Sequence, residues 1–269
     1  MTIENIAAAC EGTFVGDRDL GTKEIAGAVT DSRQVQKDYL FIPIKGARVD
    51  GHDFIPQVFE KGALVVLSDH ALPEETGPYI LVSSTTEAMK KIAAFYRTQL
   101  SCKVVGITGS VGKTSTKEMI ASVLEQRYKV LKTEGNFNNE IGLPLTIFKI
   151  RAKHEVAVLE MGISDFGEMH RLAAMARPDI GVITNIGLCH LENLGTRDGI
   201  LQAKTEMFDH LQVDGNVILN GDDDKLSTKK EVNGKPVIFY GVGADSAFDI
   251  KKDIYATDIE NHGLEGMRA

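Results

Sequence analysis

The sequence predicts an α/β fold in two parts: an N-terminal α/β domain and a second domain built on a mainly parallel sheet. The first observation is that, from about residue 103, short β-rich runs alternate with helical stretches, which is the pattern of βαβ units. The second is the length of 269 residues, which at about 150 residues per domain indicates two domains. The third is a composition of 43% hydrophobic and 25% charged residues, which is typical of folded proteins.

The first part takes in residues 1–100. Apolar runs bounded by turn residues predict strands, and apolar residues at helical spacing predict helices. The predicted strands cover 41–44 and 63–67, and the predicted helices cover 2–9, 50–61 and 86–99.

The second part takes in residues 101–269. Its predicted strands cover 104–108, 156–160, 180–184, 216–220 and 236–240, and its predicted helices cover 113–127, 167–176 and 196–211. In parallel sheets, ligands bind at the carboxyl ends of the strands. The polar residues that end these strands are therefore the first candidates for a site: Thr108, Glu160, Asn185 and Asn220.

Charge and cysteine content exclude several classes of function. The 30 Lys and Arg residues are outnumbered by 38 Asp and Glu residues, and a net charge of -8 argues against nucleic-acid binding while allowing a local phosphate site. Cys10, Cys102 and Cys189 are too widely spaced for a disulfide framework or a zinc motif, which favours a reducing cytoplasm. The sequence shows no signal peptide and no run of 18 apolar residues, so we expect no membrane insertion.

A glycine-rich segment lies between a predicted strand and a predicted helix, where a phosphate loop belongs. Its candidate nucleotide-binding residues are Gly109, Ser110, Val111, Gly112, Lys113, Thr114 and Ser115. Lys113 would reach the β- and γ-phosphates, and the Thr114 hydroxyl would bind Mg²⁺. The strict pattern has glycine where this chain has Ile107, so a glycine-rich turn without a triphosphate is the alternative. The Gly-Lys-Thr run favours a nucleoside triphosphate.

Three further residues carry weaker signals. Glu160 ends a predicted buried strand. Its carboxylate is either a ligand suited to Mg²⁺ or a solvated side chain at the end of the strand. His190 follows a loop in which a histidine is either structural or a metal ligand. Lys204 lies on a predicted helix, and its spacing alone indicates an ordinary exposed lysine.

Together these segments resemble the Mur ligase family, the ATP-dependent amide ligases of peptidoglycan precursor synthesis. The family's form of the phosphate loop includes the shifted glycine, and the resemblance extends over nearly the whole chain. In the second part the matching segments are 108–114, 135–144, 159–169, 176–179, 185–192 and 203–206. In the first part, segments 31–33 and 41–54 resemble the family's uridine-binding domain.

The resemblance implies a UDP-substrate-binding domain at 1–100 and an ATP-binding central domain at 101–269. It implies two Mg²⁺ ions, the first held by Thr114 and the second by Glu160 and His190, and a carbamylated Lys204 that also supplies metal-ligating oxygens. Lys113, Lys204, His190 and Glu160 are the implied catalytic residues. Asn138 and Asn139 belong to a loop that touches substrate or nucleotide. The implied residues at the uracil end of the substrate are Ser32, Arg33, Ala47 and Arg48.

The motifs are most similar to those of the family member that joins D-Ala-D-Ala to UDP-N-acetylmuramoyl-tripeptide. The implied reaction converts the tripeptide carboxylate into an acyl phosphate with ATP, and the dipeptide amine then displaces phosphate. MurE shares the 31–33 motif but has other residues where this chain has 138–142 and 160–164. We expect a cytoplasmic monomer that acts on small molecules.

The family also has a third domain and a Gly-x-His-Asn-x-x-Asn motif, which the sequence lacks. We therefore expect little turnover from these residues alone. A non-catalytic module that binds a nucleotide or a UDP-sugar peptide, and another Mur-type ligase such as MurE, remain as alternatives.

Overall fold

The computed structural model of the protein describes residues 1–263 and 266–268. The helices, named in chain order, are α1 (Ile3–Ala9), α2 (Ile55–Glu60), α3 (Thr85–Thr98), α4 (Lys113–Leu124), α5 (Gly142–Ile147), α6 (Glu168–Ala176), α7 (Leu191–Leu194) and α8 (Arg197–Thr205). Short 3-10 helices cover Arg18–Leu20, Gly51–Phe54, Glu74–Thr76, Glu206–His210 and Leu226–Thr228. Within the described ranges, none of the helices combines the length and apolar character needed to span a membrane.

The strands are also named in chain order. They are β1 (Thr13–Val15), β2 (Gly27–Val29), β3 (Tyr39–Phe41), β4 (Val65–Ser68), β5 (Tyr79–Leu81), β6 (Lys103–Thr108), β7 (Val130–Lys132), β8 (Val156–Glu160), β9 (Ile180–Ile183), β10 (Asn216–Asn220), β11 (Glu231–Val232), β12 (Lys235–Pro236), β13 (Ile238–Val242), β14 (Ile254–Ala256), β15 (Glu260–Asn261) and β16 (Met267–Arg268). The pairs β11–β12 and β15–β16 form small antiparallel sheets.

The chain divides into two compact units. The first contains residues 1–101 and 140–151, and the second contains 102–139 and 152–269. Segment 140–151, which the sequence division assigned to the second domain, therefore packs with the first unit. It includes α5, whose Leu143 and Ile147 are fully buried and which contacts α3.

The first unit is built on a five-stranded sheet with the order β1-β5-β4-β3-β2. Strands β2 to β5 are parallel to their neighbours, and β1 is antiparallel to β5 at the edge. Apolar residues of β3 and β4 are buried against α2, with Phe41 and Val66 in one cluster with Ile55 and Val58. The 3-10 helix Gly51–Phe54, which precedes α2, and the residues that follow Ser68 at the end of β4 therefore belong to the same unit.

The second unit is built on a seven-stranded parallel sheet with the order β14-β13-β10-β9-β6-β8-β7. From β6 the chain passes to β7 and returns to β8 on one side of β6, and it then crosses to β9 on the other side. Such a switch point opens a crevice at the carboxyl ends of the strands. Here those ends are Thr108 of β6, Glu160 of β8 and Thr184, which follows β9.

The predicted α/β fold is confirmed, and most of its elements lie close to their predicted bounds. Helix α4 ends at Leu124 rather than at residue 127, and α8 ends at Thr205, where a 3-10 helix replaces the rest of predicted helix 196–211. The elements that the sequence did not predict include β7 and α5. Both carry weak local signals, because β7 is a half-buried edge strand of three residues and α5 contains Gly142 and Pro144.

Candidate functional site

The loop between β6 and α4 depends on two glycines with positive φ. Gly109 has φ +147°, and a Cβ atom built there would lie 1.9 Å from Thr184 Oγ1, so no other residue fits. Gly112 has φ +83° immediately before α4, and the space around a Cβ there is open. The amides of the first turn of α4 have no acceptor within the helix. The loop therefore presents a helix N-terminus to an anion.

Residues after β9 fasten this loop on one side. Asn185 accepts hydrogen bonds from the Ser110 and Val111 amides, each at 3.0 Å, and its own side-chain amide donates to Val111 O at 3.0 Å. The Thr184 hydroxyl donates to the same carbonyl at 2.6 Å. The Ser110 hydroxyl accepts from Gly187 N at 2.8 Å. The loop is thus held before any ligand binds.

Two lysines converge on one carbonyl oxygen of the loop. Lys113 Nζ donates to Gly109 O at 3.0 Å, and Lys204 Nζ donates to the same oxygen at 3.2 Å. Lys204 is only 2% exposed. Its burial is the main cause that lowers the pKa of its ammonium to about 8, against an opposing effect of Cys189 and with a smaller contribution from the charge of Lys113. Lys204 is therefore unusually close to losing its proton at neutral pH.

Glu160 lies at the centre of the second set of contacts. It is 2% exposed, its Oε2 accepts a hydrogen bond of 3.0 Å from Thr114 Oγ1, and its Oε1 accepts one of 2.9 Å from Asn138 Nδ2. A carboxylate and a hydroxyl at this distance are oxygen donors of the kind that Mg²⁺ takes. The residues present fit a magnesium ion next to the phosphate loop.

Thr133 and Lys117 support Glu160 from behind. The Glu160 amide donates to Thr133 Oγ1 at 2.9 Å, and the buried Lys117 Nζ donates to Thr133 O at 2.7 Å. The sequence did not single out Thr133 or Lys117 as site residues. The available signal was Lys117 itself, because a lysine four residues after Lys113 on α4 shares its face of the helix.

His190 lies apart from these contacts. It precedes α7 with φ 58°, its side chain is 40% exposed, and its Nδ1 is 4.0 Å from Glu192 Oε1. Across residues 1–263 and 266–268, the hydrogen bonds that join Thr114, Asn138 and Glu160 do not include His190. Asn139 and Ser115 are exposed next to Asn138 and Thr114. Their predicted roles stay predictions.

The first unit contains an open cavity of about 660 Å³. Its lining includes Ser32 and Arg33 together with Thr30, Asp31, Ile44, Gly46, Val49, Gly51, Phe54 and Gln57. Ala47 and Arg48 lie in the chain between two lining residues but do not line the cavity themselves. Arg33 Nη2 is 2.7 Å from Asp31 Oδ2, and hydrogen bonds from Arg33 lower the pKa of the Asp31 carboxyl to about 2. The wall of the cavity therefore contains an ion pair between Arg33 and Asp31.

Models of known protein families match most of the chain. Residues 107–267 match the Mur ligase middle domain, and residues 24–97 match the Mur ligase family, catalytic domain.

Two curated relatives carry the name UDP-N-acetylmuramoyl-tripeptide--D-alanyl-D-alanine ligase. The Bacillus subtilis (strain 168) protein is 43% identical over 269 residues, which is 98% of this chain and 58% of the relative. The Escherichia coli (strain K12) protein is 35% identical over 237 residues, which is 88% of this chain and 52% of the relative. The chain thus spans a little over half the length of these relatives.

Solved structures agree with the sequence relatives. A crystal structure of MurF from Acinetobacter baumannii superimposes with a TM-score of 0.84 at 30% identity, covering 99% of this chain and 59% of that one. MurF ligase from Thermotoga maritima in complex with ADP gives a TM-score of 0.72 at 36% identity, covering 80% of this chain and 50% of that one. The match of the middle-domain model to residues 107–267 shows that this chain belongs to the Mur ligase family.

Proposed function

We propose that this chain forms the substrate-holding part of an ATP-dependent ligase that joins D-alanyl-D-alanine to UDP-N-acetylmuramoyl-tripeptide. The observation that carries the proposal is the contact of Glu160 with Thr114, at 3.0 Å, beside a phosphate loop. This arrangement suits a magnesium nucleotide. The names of the relatives support the choice of the two other substrates.

Each unit takes one substrate in this proposal. The domain at 1–100 holds the UDP end through the cavity that Ser32 and Arg33 line, with Ala47 and Arg48 beside it in the chain. The domain at 101–269 holds ATP. We also propose that the protein works as a monomer.

The chemistry proceeds in two steps. A carboxylate oxygen of the tripeptide attacks the γ-phosphorus of ATP, the bond from that phosphorus to the β,γ-bridging oxygen breaks, and an acyl phosphate and ADP result. The amine of D-alanyl-D-alanine then attacks the acyl carbon, loses a proton and expels phosphate. Both steps depend on positioning and on neutralisation of negative charge rather than on a nucleophilic side chain.

The residues of the loop divide this work. Lys113 holds the transferring phosphoryl group and offsets its charge, and the first turn of α4 binds phosphate oxygens through its amides. Thr114 would hold one magnesium ion, and Glu160 and His190, with the carbamate proposed below for Lys204, would hold a second. A bound magnesium ion supplies charge neutralisation to the phosphate oxygens. Asn138 keeps Glu160 oriented through its 2.9 Å hydrogen bond.

We propose further that Lys204 is carbamylated. Its neutral amine attacks CO2, a C–N bond forms, and one proton leaves to solvent. Burial favours this reaction because it lowers the pKa of Lys204 to about 8 and so supplies the neutral amine. The product carries oxygens suited to Mg²⁺, and Lys113, bound to the same Gly109 carbonyl, offsets its negative charge.

The carbamate is tested by 13C NMR with 13C-bicarbonate at pH 8. We expect one slowly exchanging carbamate resonance in the wild-type protein and none in Lys204→Met. Lys252→Met is the matched control, because Lys252 is another 2% exposed lysine and its loss should leave the resonance in place. A resonance that survives Lys204→Met contradicts the assignment.

The substrate is tested by calorimetric titration with UDP-N-acetylmuramoyl-tripeptide and, separately, with UDP-N-acetylmuramoyl-dipeptide. We expect the tripeptide to bind at least about tenfold more tightly, which corresponds to about 1.4 kcal/mol. Preference for the dipeptide would favour a MurE-type ligase instead. Binding of neither compound by the folded chain would contradict the proposed substrate class.

A further inference from the structure

A cluster of histidine and aspartate residues in the first unit has no part in the proposed reaction. It combines Asp50 and His52, at the 3-10 helix Gly51–Phe54, with Asp69 and His70, which follow β4. His52, Asp69 and His70 each offer one potential ligand atom, and these three atoms lie within 4.8 Å of one another.

His52 is the buried member of the cluster. Its side chain is only 7% exposed, and its Nδ1 is 2.6 Å from Asp50 Oδ1. Asp50 also caps the 3-10 helix, because the same oxygen accepts from the His52 amide at 3.0 Å. An ionised carboxylate only accepts hydrogen bonds, so this contact assigns the proton to Nδ1. In the neutral ring, Nε2 then carries a lone pair.

That nitrogen faces another acceptor. His52 Nε2 is buried, it makes no hydrogen bond with any described residue, and it lies 3.4 Å from Asp69 Oδ1. In the neutral ring, Nε2 and the Asp69 oxygen are both acceptors, and they repel unless a proton or another cation stands between them. Two ligands about 2.0–2.1 Å from a tetrahedral zinc ion are themselves about 3.4 Å apart. The separation of the two atoms therefore matches one edge of a zinc site.

Asp69 and His70 complete the set. His70 Nδ1 is 2.7 Å from Asp69 Oδ1. The centroids of the His52 and His70 rings are 5.0 Å apart. The buried Ser68 hydroxyl holds the His70 backbone through bonds of 2.6 Å to its carbonyl and 3.3 Å from its amide.

We propose that His52, Asp69 and His70 form a binding site for a divalent cation of the zinc class, with Asp50 as the residue that orients His52. Two imidazole nitrogens and one carboxylate oxygen suit zinc, whereas magnesium prefers oxygen ligands alone. The carboxylate–histidine pair of Asp50 and His52 is the usual support of a metal-bound imidazole. Asp69 and His70 are exposed, so a fourth position is open to water.

The location gives the ion a structural effect. Gly51 and Phe54, on either side of His52 in the chain, line the cavity that Ser32 and Arg33 also line. An ion would tie this wall of the cavity to the end of β4. Zinc binding at this site is measured without ATP or UDP substrate. Its test therefore does not depend on the proposed ligase reaction.

The test is a titration of the tag-free, EDTA-treated protein with ZnCl2 by calorimetry and with CoCl2 by visible absorption. We expect one zinc site and cobalt d–d bands of a tetrahedral complex. Asp69→Asn and His70→Gln should each weaken zinc binding at least tenfold, and both residues are exposed, so the variants should fold. Asp50→Asn should weaken it about 10- to 100-fold through the orientation of His52.

The matched control is His210→Gln. His210 and His170 form the other close imidazole pair of the described chain, with Nε2 and Nδ1 3.1 Å apart. This variant should keep zinc affinity within twofold of wild type. Equal affinities in wild type, Asp69→Asn and His70→Gln would overturn the proposal. The absence of zinc binding would also overturn it. NMR evidence that both nitrogens of His52 carry protons would then identify the contact with Asp69 as an ordinary ion pair.

Discussion

The Thr114 hydroxyl donates a hydrogen bond of 3.0 Å to Glu160 Oε2 and so joins the first turn of α4 to the end of β8. The two residues are 46 positions apart in sequence and meet because β6 and β8 are adjacent parallel strands. The contact places a magnesium-type donor pair next to the phosphate loop. It makes Glu160 the first residue to test.

Glu160→Gln should weaken magnesium-dependent ATP binding at least about tenfold, because the amide loses the charge that a divalent cation requires. Calorimetry with and without magnesium measures the effect. Glu125→Gln, an exposed change at the end of α4, is the control and should leave affinity unchanged. Equal magnesium dependence in the wild-type and Glu160→Gln proteins would show that Glu160 is not a ligand.

Gly109→Ala should destabilise the second unit by about 2–4 kcal/mol, because the added Cβ would lie 1.9 Å from Thr184 Oγ1 in a conformation with φ +147°. Gly195→Ala is the control for positive φ alone, since Gly195 has φ +72° and open space around it. Denaturant unfolding measures both changes. Gly109→Ala/Thr184→Ala should recover part of the loss, and no recovery would contradict the clash as its cause.

Lys204 should make stability depend on pH above neutrality. Its folded pKa of about 8 lies below the ordinary value of 10.5, so the unfolded chain binds more protons between these values and stability rises with pH through that window. Below pH 8 the buried ammonium costs on the order of 3 kcal/mol. Lys204→Met should therefore be more stable than wild type at pH 7, with a gap that narrows as the pH rises from 8 to 10.5. Urea unfolding in CO2-free buffer measures it, and a constant gap would contradict the pKa shift.

Lys117→Met should lower the free energy of unfolding by about 1–3 kcal/mol, because Thr133 O would lose its buried donor. It should also weaken magnesium-dependent ATP binding, since Thr133 Oγ1 holds the Glu160 amide. Lys132→Met removes a more exposed lysine that pairs with Glu118 and should change neither quantity by much. Loss of stability without loss of ATP affinity would limit Lys117 to a structural role.

Arg33→Ala should weaken binding of UDP-N-acetylmuramoyl-tripeptide at least about tenfold and leave ATP affinity unchanged. The reason is that Arg33 lines the cavity of the first unit, where it holds Asp31. Arg18→Ala, an exposed change in the same unit, is the control. Unchanged affinity of Arg33→Ala for the UDP compound would remove Arg33 from the substrate site.

The sequence allowed prediction of the parallel sheet and of the glycine-rich loop between β6 and α4, because β6 and β8 are mostly buried runs and the Gly-Lys-Thr run is local. It did not allow prediction of α5, whose Gly142 and Pro144 disfavour a helix and whose burial depends on α3. Contacts between residues that are distant in the sequence could not be predicted either. Nothing in the spacing of Lys117, Thr133 and Glu160 reveals that they form one chain of hydrogen bonds.

Lys204 shows the same limit. Its local sequence indicates an exposed lysine, and only the folded structure shows that it is 2% exposed and bound to Gly109 O. The resemblance to the family singled it out where periodicity did not. The cluster at His52 had no sequence signal either, because Asp69 and His70 reach it only when β4 lies beside the strand that precedes the 3-10 helix.

The most direct test of the account is calorimetric titration of the chain with magnesium ATP, followed by UDP-N-acetylmuramoyl-tripeptide, in wild type and Lys113→Met. We expect wild type to bind both compounds and Lys113→Met to lose ATP binding while it keeps the UDP compound. A folded wild-type chain that binds neither compound, or a Lys113→Met variant with unchanged ATP affinity, would contradict it.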